Sequence, residues 1–274
     1  MLYNDHFQNF KGYNMPRAQL VIADIPYNIG INAYGSNPSW YIDGDNKNGE
    51  SPLAGKSFFD TDENFKPSEF MHFCNRLMIK EPKERGKAPC MIVFCSFEQQ
   101  FELIKLAKQY EIKNYINLVF RKNFSAQVLK ANMRVVGNAE YGLLLYRDKL
   151  PKFNNNGKMI FNIMDWEDDK DMLYRKIHPT QKPVKLLENL IKIFTDEGDV
   201  VIDPVAGSGS TLVAANNTGR RGFGFEIKKE FYTEAVKWID ECKTIKDEIK
   251  ESGYSIKLME KEQKTLFSYQ GAQP

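Results

Sequence analysis

Short, uninterrupted apolar runs punctuate an otherwise polar chain. Leu20, Val21, Ile22 and Ala23 lead straight into Asp24-Ile25-Pro26-Tyr27. A run that brief, closed by a proline, predicts a buried strand emptying into a loop. Met91-Ile92-Val93-Phe94, inside residues 89–96, predicts a second buried strand, and residues 116–120 and 141–146 predict two more. Helical spacing of apolar positions takes over at residues 67–79 and again at 97–110, where Leu103, Ile104, Leu106 and Ala107 recur. Further on, residues 184–194 predict a helix and 200–202 a strand; a Gly-rich turn, a helix over 211–216 and a strand over 222–225 follow. Buried strands alternating with helices predict a mostly parallel sheet covered on both faces.

Three stretches depart from this rhythm. Residues 28–64 are rich in Gly, Asn, Ser and Pro, with Tyr34, Trp40, Tyr41, Phe58 and Phe59 scattered among them. So long an irregular stretch predicts a mobile, functional loop, although its aromatics serve equally well as loop anchors. Residues 149–175 are polar and partly acidic (Asp165, Glu167, Asp168, Asp169). From about Lys228 the chain is helical and highly charged, and residues 243–264 predict a solvated or partly disordered helix. The expected organisation is one domain over residues 1–240 and a charged tail over 241–274.

Composition narrows the class only slightly. A chain of 274 residues buries a sizeable core, and its formal net charge of +2 neither advertises nucleic acid nor excludes a basic face. Four cysteines without C-x-x-C spacing, and only three histidines, argue against a zinc site or a disulfide framework and fit a reducing, cytoplasmic compartment. Met1-Leu2-Tyr3-Asn4-Asp5-His6 does not read as a secretory signal, and no apolar stretch approaches bilayer length.

The chemistry concentrates in two places. Asp203-Pro204-Val205-Ala206-Gly207-Ser208-Gly209-Ser210-Thr211 is a strand end, a small-residue turn and a helix start. Small residues let backbone amides approach a ligand at the carboxyl end of a strand. Leu212 stands where the dinucleotide fingerprint needs Gly or Ala, and no G-K-[ST] follows for phosphates. The turn suits a ligand with an amino-acid part and a nucleoside. About twenty residues on, Glu226 closes the next strand and can bind two ribose hydroxyls through its two oxygens. Either piece alone is equally well a tight turn or a surface glutamate; the spacing of the pair favours a ligand.

The second place is Asp24-Ile25-Pro26-Tyr27 at a strand mouth. An aromatic amine is a poor nucleophile because its lone pair is delocalised into the ring. A carboxylate and a nearby carbonyl that accept its N–H bonds help the nitrogen become tetrahedral and disperse the developing positive charge. Pro26 restricts the backbone, and Tyr27 offers a face for an extruded base. Alone, the tetrapeptide also arises by chance as a loop with a packed tyrosine.

Together with Asp203-Pro204-Val205-Ala206-Gly207-Ser208-Gly209 and His178-Pro179-Thr180-Gln181-Lys182-Pro183, the tetrapeptide closely resembles the amino-methyltransferases of DNA. The order of the motifs resembles their β group, and the likeness spans roughly residues 2–235. The resemblance implies an α/β fold with a doubly wound, mostly parallel, seven-stranded sheet and helices on both faces. It implies transfer of a methyl group from S-adenosylmethionine to a flipped base in double- or single-stranded DNA. Asp24, Ile25, Pro26 and Tyr27 would form the catalytic segment, Ile25 supplying the carbonyl. His178, Thr180 and Lys182 would enclose the methionine part of the cofactor. Asp203, Pro204, Ala206, Gly207, Ser208, Gly209 and Glu226 would hold the rest, with Asp5 near its adenine. Ile25 stands where the family usually has proline, and Ser210 where threonine is commoner. Aspartate rather than serine at position 24 favours adenine N6 over cytosine N4 without excluding the latter, and Ile25 leaves open a catalytically idle DNA-binding subunit that keeps the fold.

Other candidates read as ordinary. Cys90 leads into an apolar strand with nothing beside it to activate a thiolate, and Cys95 reads as core. His6 and His72 read as surface or helix-packing residues. Direct amine methylation calls for no metal. Arg121-Lys122-Asn123-Phe124 and residues 130–134 are either phosphate contacts or a solvated basic face. Sequence reading of DNA would fall to residues 149–175, the early loop or the tail. The acidity of the first leaves a partner subunit, a homodimer and relaxed specificity all open.

Overall fold

The computed structural model describes residues 1–28, 65–122, 127–130, 135–166, 169, 174, 176–178 and 181–252. In chain order the strands are β1 (Leu2–Tyr3), β2 (Leu20–Asp24), β3 (Cys90–Cys95), β4 (Asn114–Lys122), β5 (Gln127–Lys130), β6 (Val135–Gly137), β7 (Ala139–Tyr146), β8 (Ile163–Trp166), β9 (Val200–Asp203) and β10 (Arg221–Phe225). The helices are α1 (Pro67–Leu77), α2 (Phe97–Lys108), α3 (Val184–Phe194), α4 (Ser210–Asn217) and α5 (Lys229–Ser252).

Alternation along the central strands sets the layers. Successive strand side chains point to opposite faces. Val21, Ala23, Met91, Val93 and Cys95 therefore share one core with Phe70, Met71, Cys74 and Leu77 of α1 and Leu103 and Ala107 of α2. Leu20, Ile22, Cys90, Ile92 and Phe94 share the other with α3, with Val213 to Ala215 of α4 and with Trp238 and Cys242 of α5. Both faces are covered, so β2 and β3 read as unbroken apolar runs. Local chemistry starts the helices. Pro67 occupies the first turn of α1, where its missing N–H is no loss. Ser96 and Gln99 close a reciprocal capping box on α2.

Among the described residues the main sheet has eight strands in the order β1-β10-β9-β2-β3-β7-β4-β8, and β5 pairs with β6 in a separate ribbon. Only β7 runs antiparallel to its neighbours in the main sheet. The count exceeds the seven expected because the polar stretch over 149–175 contributes β8, which pairs in parallel with β4 at the edge. Its exposed Ile163 and single buried residue, Trp166, leave no apolar run to read. Helix α5 also runs through position 240, where the sequence suggested a boundary, and Cys242 is buried beyond it. Residues 29–64 and 253–274, expected as a mobile loop and a tail, lie outside the described residues. Among the described residues no helix is long and apolar enough to cross a membrane.

The connections place the ligand crevice. From β9 the chain crosses through α4 on one face to β10; from neighbouring β2 it crosses to β3 with α1 on the opposite face. Adjacent parallel strands whose crossovers leave in opposite directions open a crevice beyond their carboxyl ends. The β2–β9 register runs over Leu20↔Val201 and Val21↔Ile202, so Asp24 and the turn after Asp203 stand where the two chains part.

Candidate active site

One edge of the sheet collects the polar residues. Asp24, Asp203, Lys122 and Trp166 end β2, β9, β4 and β8, and Glu226 follows β10 directly. Asp5 follows β1, and Glu140 lies at the start of β7, whose reversed direction brings it to the same edge.

The turn after β9 is built from backbone donors. Asp203 Oδ1 accepts the Val205 N–H at 3.0 Å, and Thr211 hydrogen-bonds the same carboxylate. Glu226 accepts N–H bonds from Gly207 at 2.9 Å and Lys228 at 2.8 Å, one on each oxygen. Glycines are required here, Gly209 with φ +78° among them. Gly207 has φ +50°, a left-handed backbone that side chains rarely adopt. A Cβ on Gly224 would lie 2.9 Å from Leu212 and 3.1 Å from both Ala206 Cβ and Asp203 O, so only glycine lets β10 approach the turn. Pro204, Ala206, Ser208 and Gly209 complete the same small, mostly buried loop. The buried His178 ring faces Gly207, 3.7 Å from the position a Cβ would take, and meets Phe231 edge-on.

Burial sets the electrostatics of this half. It pushes Asp203 up to about 7, with the hydrogen bonds from Thr211 and Val205 opposing, and it raises Glu226 as well. His178 is lowered to about 4, first by burial and then by Lys182, Lys228 and Lys176, so its ring is neutral at physiological pH.

Across the crevice the carboxylates meet ammonium groups. Lys182 Nζ lies 2.5 Å from Asp24 Oδ2 and 3.2 Å from Glu140 Oε2. The other Glu140 oxygen accepts a bond from Lys122. Tyr27 Oη is 3.4 Å from both Asp24 and Glu140. The Lys182 ammonium also stands over the rings of Phe94, Trp166 and Tyr27, 5.3–5.8 Å from their centroids. Burial raises Asp24 above the usual carboxylate range; Lys182 opposes this and Glu140 adds to it. Burial also acts to raise Glu140, but Lys182 and Lys122 outweigh it and hold that carboxyl below its usual range.

The tetrapeptide is pinned by its own backbone. Ile25, where the resemblance expects proline, donates its N–H to Phe94 O at 3.2 Å and buries its side chain in the core. Proline has no N–H to make that bond, so a ladder bond replaces the restraint of a ring. Gln99, from the capping box, gives its amide N–H to Pro26 O at 2.8 Å.

The structure thus gathers the segment 24–27, His178, Lys182, the 203–209 turn and Glu226 along one edge. Thr180 lies outside the described residues. Asp5 is at the same edge, but its carboxylate accepts bonds from His6 N, Asn9 and Tyr13. Lys182, expected with the cofactor, has its ammonium on Asp24 and Glu140. Lys122 is a correction: its buried ammonium pairs with Glu140 and does not form a basic face. Arg121 beside it is exposed and pairs with Asp165. Of the remaining expected phosphate contacts, residues 123–124 and 131–134 lie outside the described residues, and Lys130 ends β5. Glu140, Gln99 and Trp166 were not legible as site residues, because nothing in their neighbours marks them. Trp166 Nε1 is buried without a hydrogen-bond partner among the described residues. Cys90 is buried at the start of β3, on the opposite edge, with its thiol raised by burial.

Comparison with known proteins settles the family. A family model described as DNA methylase, covering the N6 and N4 methyltransferases, matches residues 18–237. The chain belongs to that family. S-adenosylmethionine is the methyl donor of these DNA methylases. The type II methyltransferase M2.DpnII of Streptococcus pneumoniae is 27% identical over 256 residues, spanning 88% of this chain and 89% of the relative. The DNA adenine methyltransferase YhdJ of Escherichia coli (strain K12) is 25% identical over 266 residues, spanning 88% of this chain and 82% of that protein. The crystal structure of the M1.HpyAVI–SAM complex has a TM-score of 0.62 at 22% identity, covering 87% of this chain and 98% of that one, a likeness of fold. This DNA methylase carries the expected α/β architecture.

Proposed function

We propose that this DNA methylase methylates the exocyclic N6 amino group of adenine in DNA. The observation that carries the reading is the placement of Asp24 at the topological switch point, across the crevice from the Gly207–Glu226 turn. The turn fits the methyl donor. Each Glu226 oxygen accepts one backbone N–H and keeps a lone pair for a ribose hydroxyl. The Asp203 and Glu226 carboxylates suit a cationic ligand, and the neutral His178 ring adds no charge against it. When bound, S-adenosylmethionine supplies an electrophilic methyl group on a sulfonium.

The protein's own groups prepare the nucleophile. Asp24 accepts an N–H of the extruded amine, and the carbonyl of Ile25 accepts the other. The carbonyl of Pro26 is already held by Gln99. Backbone bonds on either side of the Ile25 carbonyl fix that acceptor before the base arrives, so it stabilises developing positive charge without reorganising. Tyr27 gives the base a ring to stack on. Adenine is favoured by the aspartate at position 24 and by the likeness to a relative described as a DNA adenine methyltransferase.

The test is incubation of the full chain with labelled S-adenosylmethionine and mixed-sequence DNA, followed by digestion to nucleosides. Label in N6-methyladenine is expected. Label in N4-methylcytosine reassigns the target, and no label in any base overturns the reading.

A further inference from the structure

We propose that Lys182 is a positioning residue for Asp24: its ammonium holds the carboxylate and passes to Glu140 when the substrate amine arrives. This rests on the reading of Asp24 as the group that meets the amine. It departs from the cofactor role that the sequence motif implies for Lys182.

The geometry is that of a shared cation. Lys182 is 5% exposed, and its Nζ lies 2.5 Å from Asp24 and 3.2 Å from Glu140. Glu140 keeps Lys122 on its other oxygen. Two carboxylates and two ammonium groups therefore balance to zero in a largely buried cluster. An ammonium on Asp24 Oδ2 takes one of the acceptor sites open to an incoming amine. It also holds the carboxylate still, on the side walled by Phe94 and Trp166. Glu140 gives the displaced cation a second carboxylate within hydrogen-bond reach, so it need never sit unpaired in the interior, where a lone charge is strongly destabilising. Tyr27 Oη, 3.4 Å from both carboxylates, can give its single hydrogen to either and spans the two positions.

The groups that face Asp24 fix the sign of its response to pH. They are Lys182 from the segment before α3, Glu140 from β7, Tyr27 from its own loop, Cys95 from β3 and Asp203 from β9, with Lys122 behind Glu140. Lys182 favours the ionised carboxylate and Glu140 disfavours it. Only the ionised form sets a full negative charge against the positive charge that develops on the amine. Activity is thus lost as pH falls through the Asp24 transition, and the two neighbours move that transition in opposite directions.

The experiment measures kcat and KM for DNA across pH with the full chain, and the Kd of S-adenosylmethionine by calorimetry, for Lys182→Met and Glu140→Gln. For Lys182→Met the acid limb of kcat is expected to move up by about 1–3 pH units, with the Kd of the methyl donor within about threefold of wild type. For Glu140→Gln the limb is expected to move down and KM for DNA to rise, because Lys182 is then held by Asp24 alone. An unmoved limb in Lys182→Met with a tenfold or greater loss of donor affinity overturns the proposal in favour of a cofactor role. If Lys182→Met does not fold, an unmoved limb and unchanged KM in Glu140→Gln overturn it alone. A wild-type protein that methylates no base sinks the reading of Asp24 together with this one. A wild-type protein that methylates normally while both limbs stay put sinks this one only.

Discussion

The two sides of the crevice keep buried carboxylates by different means. Asp203 and Glu226 are held by backbone N–H groups at 2.8–3.0 Å and, for Asp203, by a threonine hydroxyl. Asp24 and Glu140 are held by ammonium groups. Backbone donors are fixed by the turn that carries them and cannot follow a ligand. An ammonium on a four-carbon stem can exchange one carboxylate for another. The first arrangement suits a rigid cradle, and the second suits a site where a partner must be replaced during the reaction.

The sharpest break of this comparison is Asp24→Ala. It removes the acceptor on the exchangeable side only, so methyl transfer falls by about 100- to 1,000-fold or more while the donor Kd stays within about threefold. Labelled product formation and calorimetry measure the two readouts separately.

Glu226→Ala strikes the other side. It leaves the N–H groups of Gly207 and Lys228 without their acceptor and removes a hydrogen-bonded charge from the ligand. Donor Kd rises about 10- to 100-fold. At saturating donor, kcat is expected to recover most of its wild-type value, which separates the cradle from the amine site.

Asp203→Asn tests the electrostatics of the fixed side through stability. Asp203 rises from an ordinary value of 3.8 to about 7 on folding, so the folded state binds its proton more tightly than the unfolded chain does. The wild type accordingly has this contribution in full below about pH 4 and loses it as pH rises toward 7. Asparagine does not titrate. The stability of Asp203→Asn relative to wild type therefore grows by on the order of a few kcal/mol across that window, then levels off. Denaturant midpoints at several pH values show whether it does; a constant difference breaks the account.

The smallest effect is expected for Ile25→Pro. It restores the commoner family residue but deletes the N–H bond to Phe94 O and part of a buried side chain. A loss of about 1–3 kcal/mol in thermal unfolding is expected. A gain in stability would show that a ring restrains this backbone better than the ladder bond.

Much of this was legible because it is local. The runs at Leu20 and Met91 read as strands because short apolar runs closed by turn-forming or polar residues fit a sheet buried on both faces. Helix α3 begins and ends at the residues its periodicity gives. The Gly207 turn and Glu226 could be paired because one crossover joins them. Glu140 and Lys122 could not. They lie on neighbouring antiparallel strands, β7 and β4, and each reads as an ordinary surface charge until its neighbour is known.

The amino-acid order alone determined which segments become the central strands and the helices around them, that the two faces are covered, and which short motifs carry small residues and a carboxylate. Those follow from periodicity, backbone restriction and side-chain chemistry, all of which act within a few residues. Only the tertiary structure decided that Lys182 sits on Asp24, that Glu140 shares it, and that Gln99 holds Pro26. Pairing of buried charges depends on which strand ends stand side by side and on how far water is excluded. Strand order and burial are properties of the packed sheet as a whole.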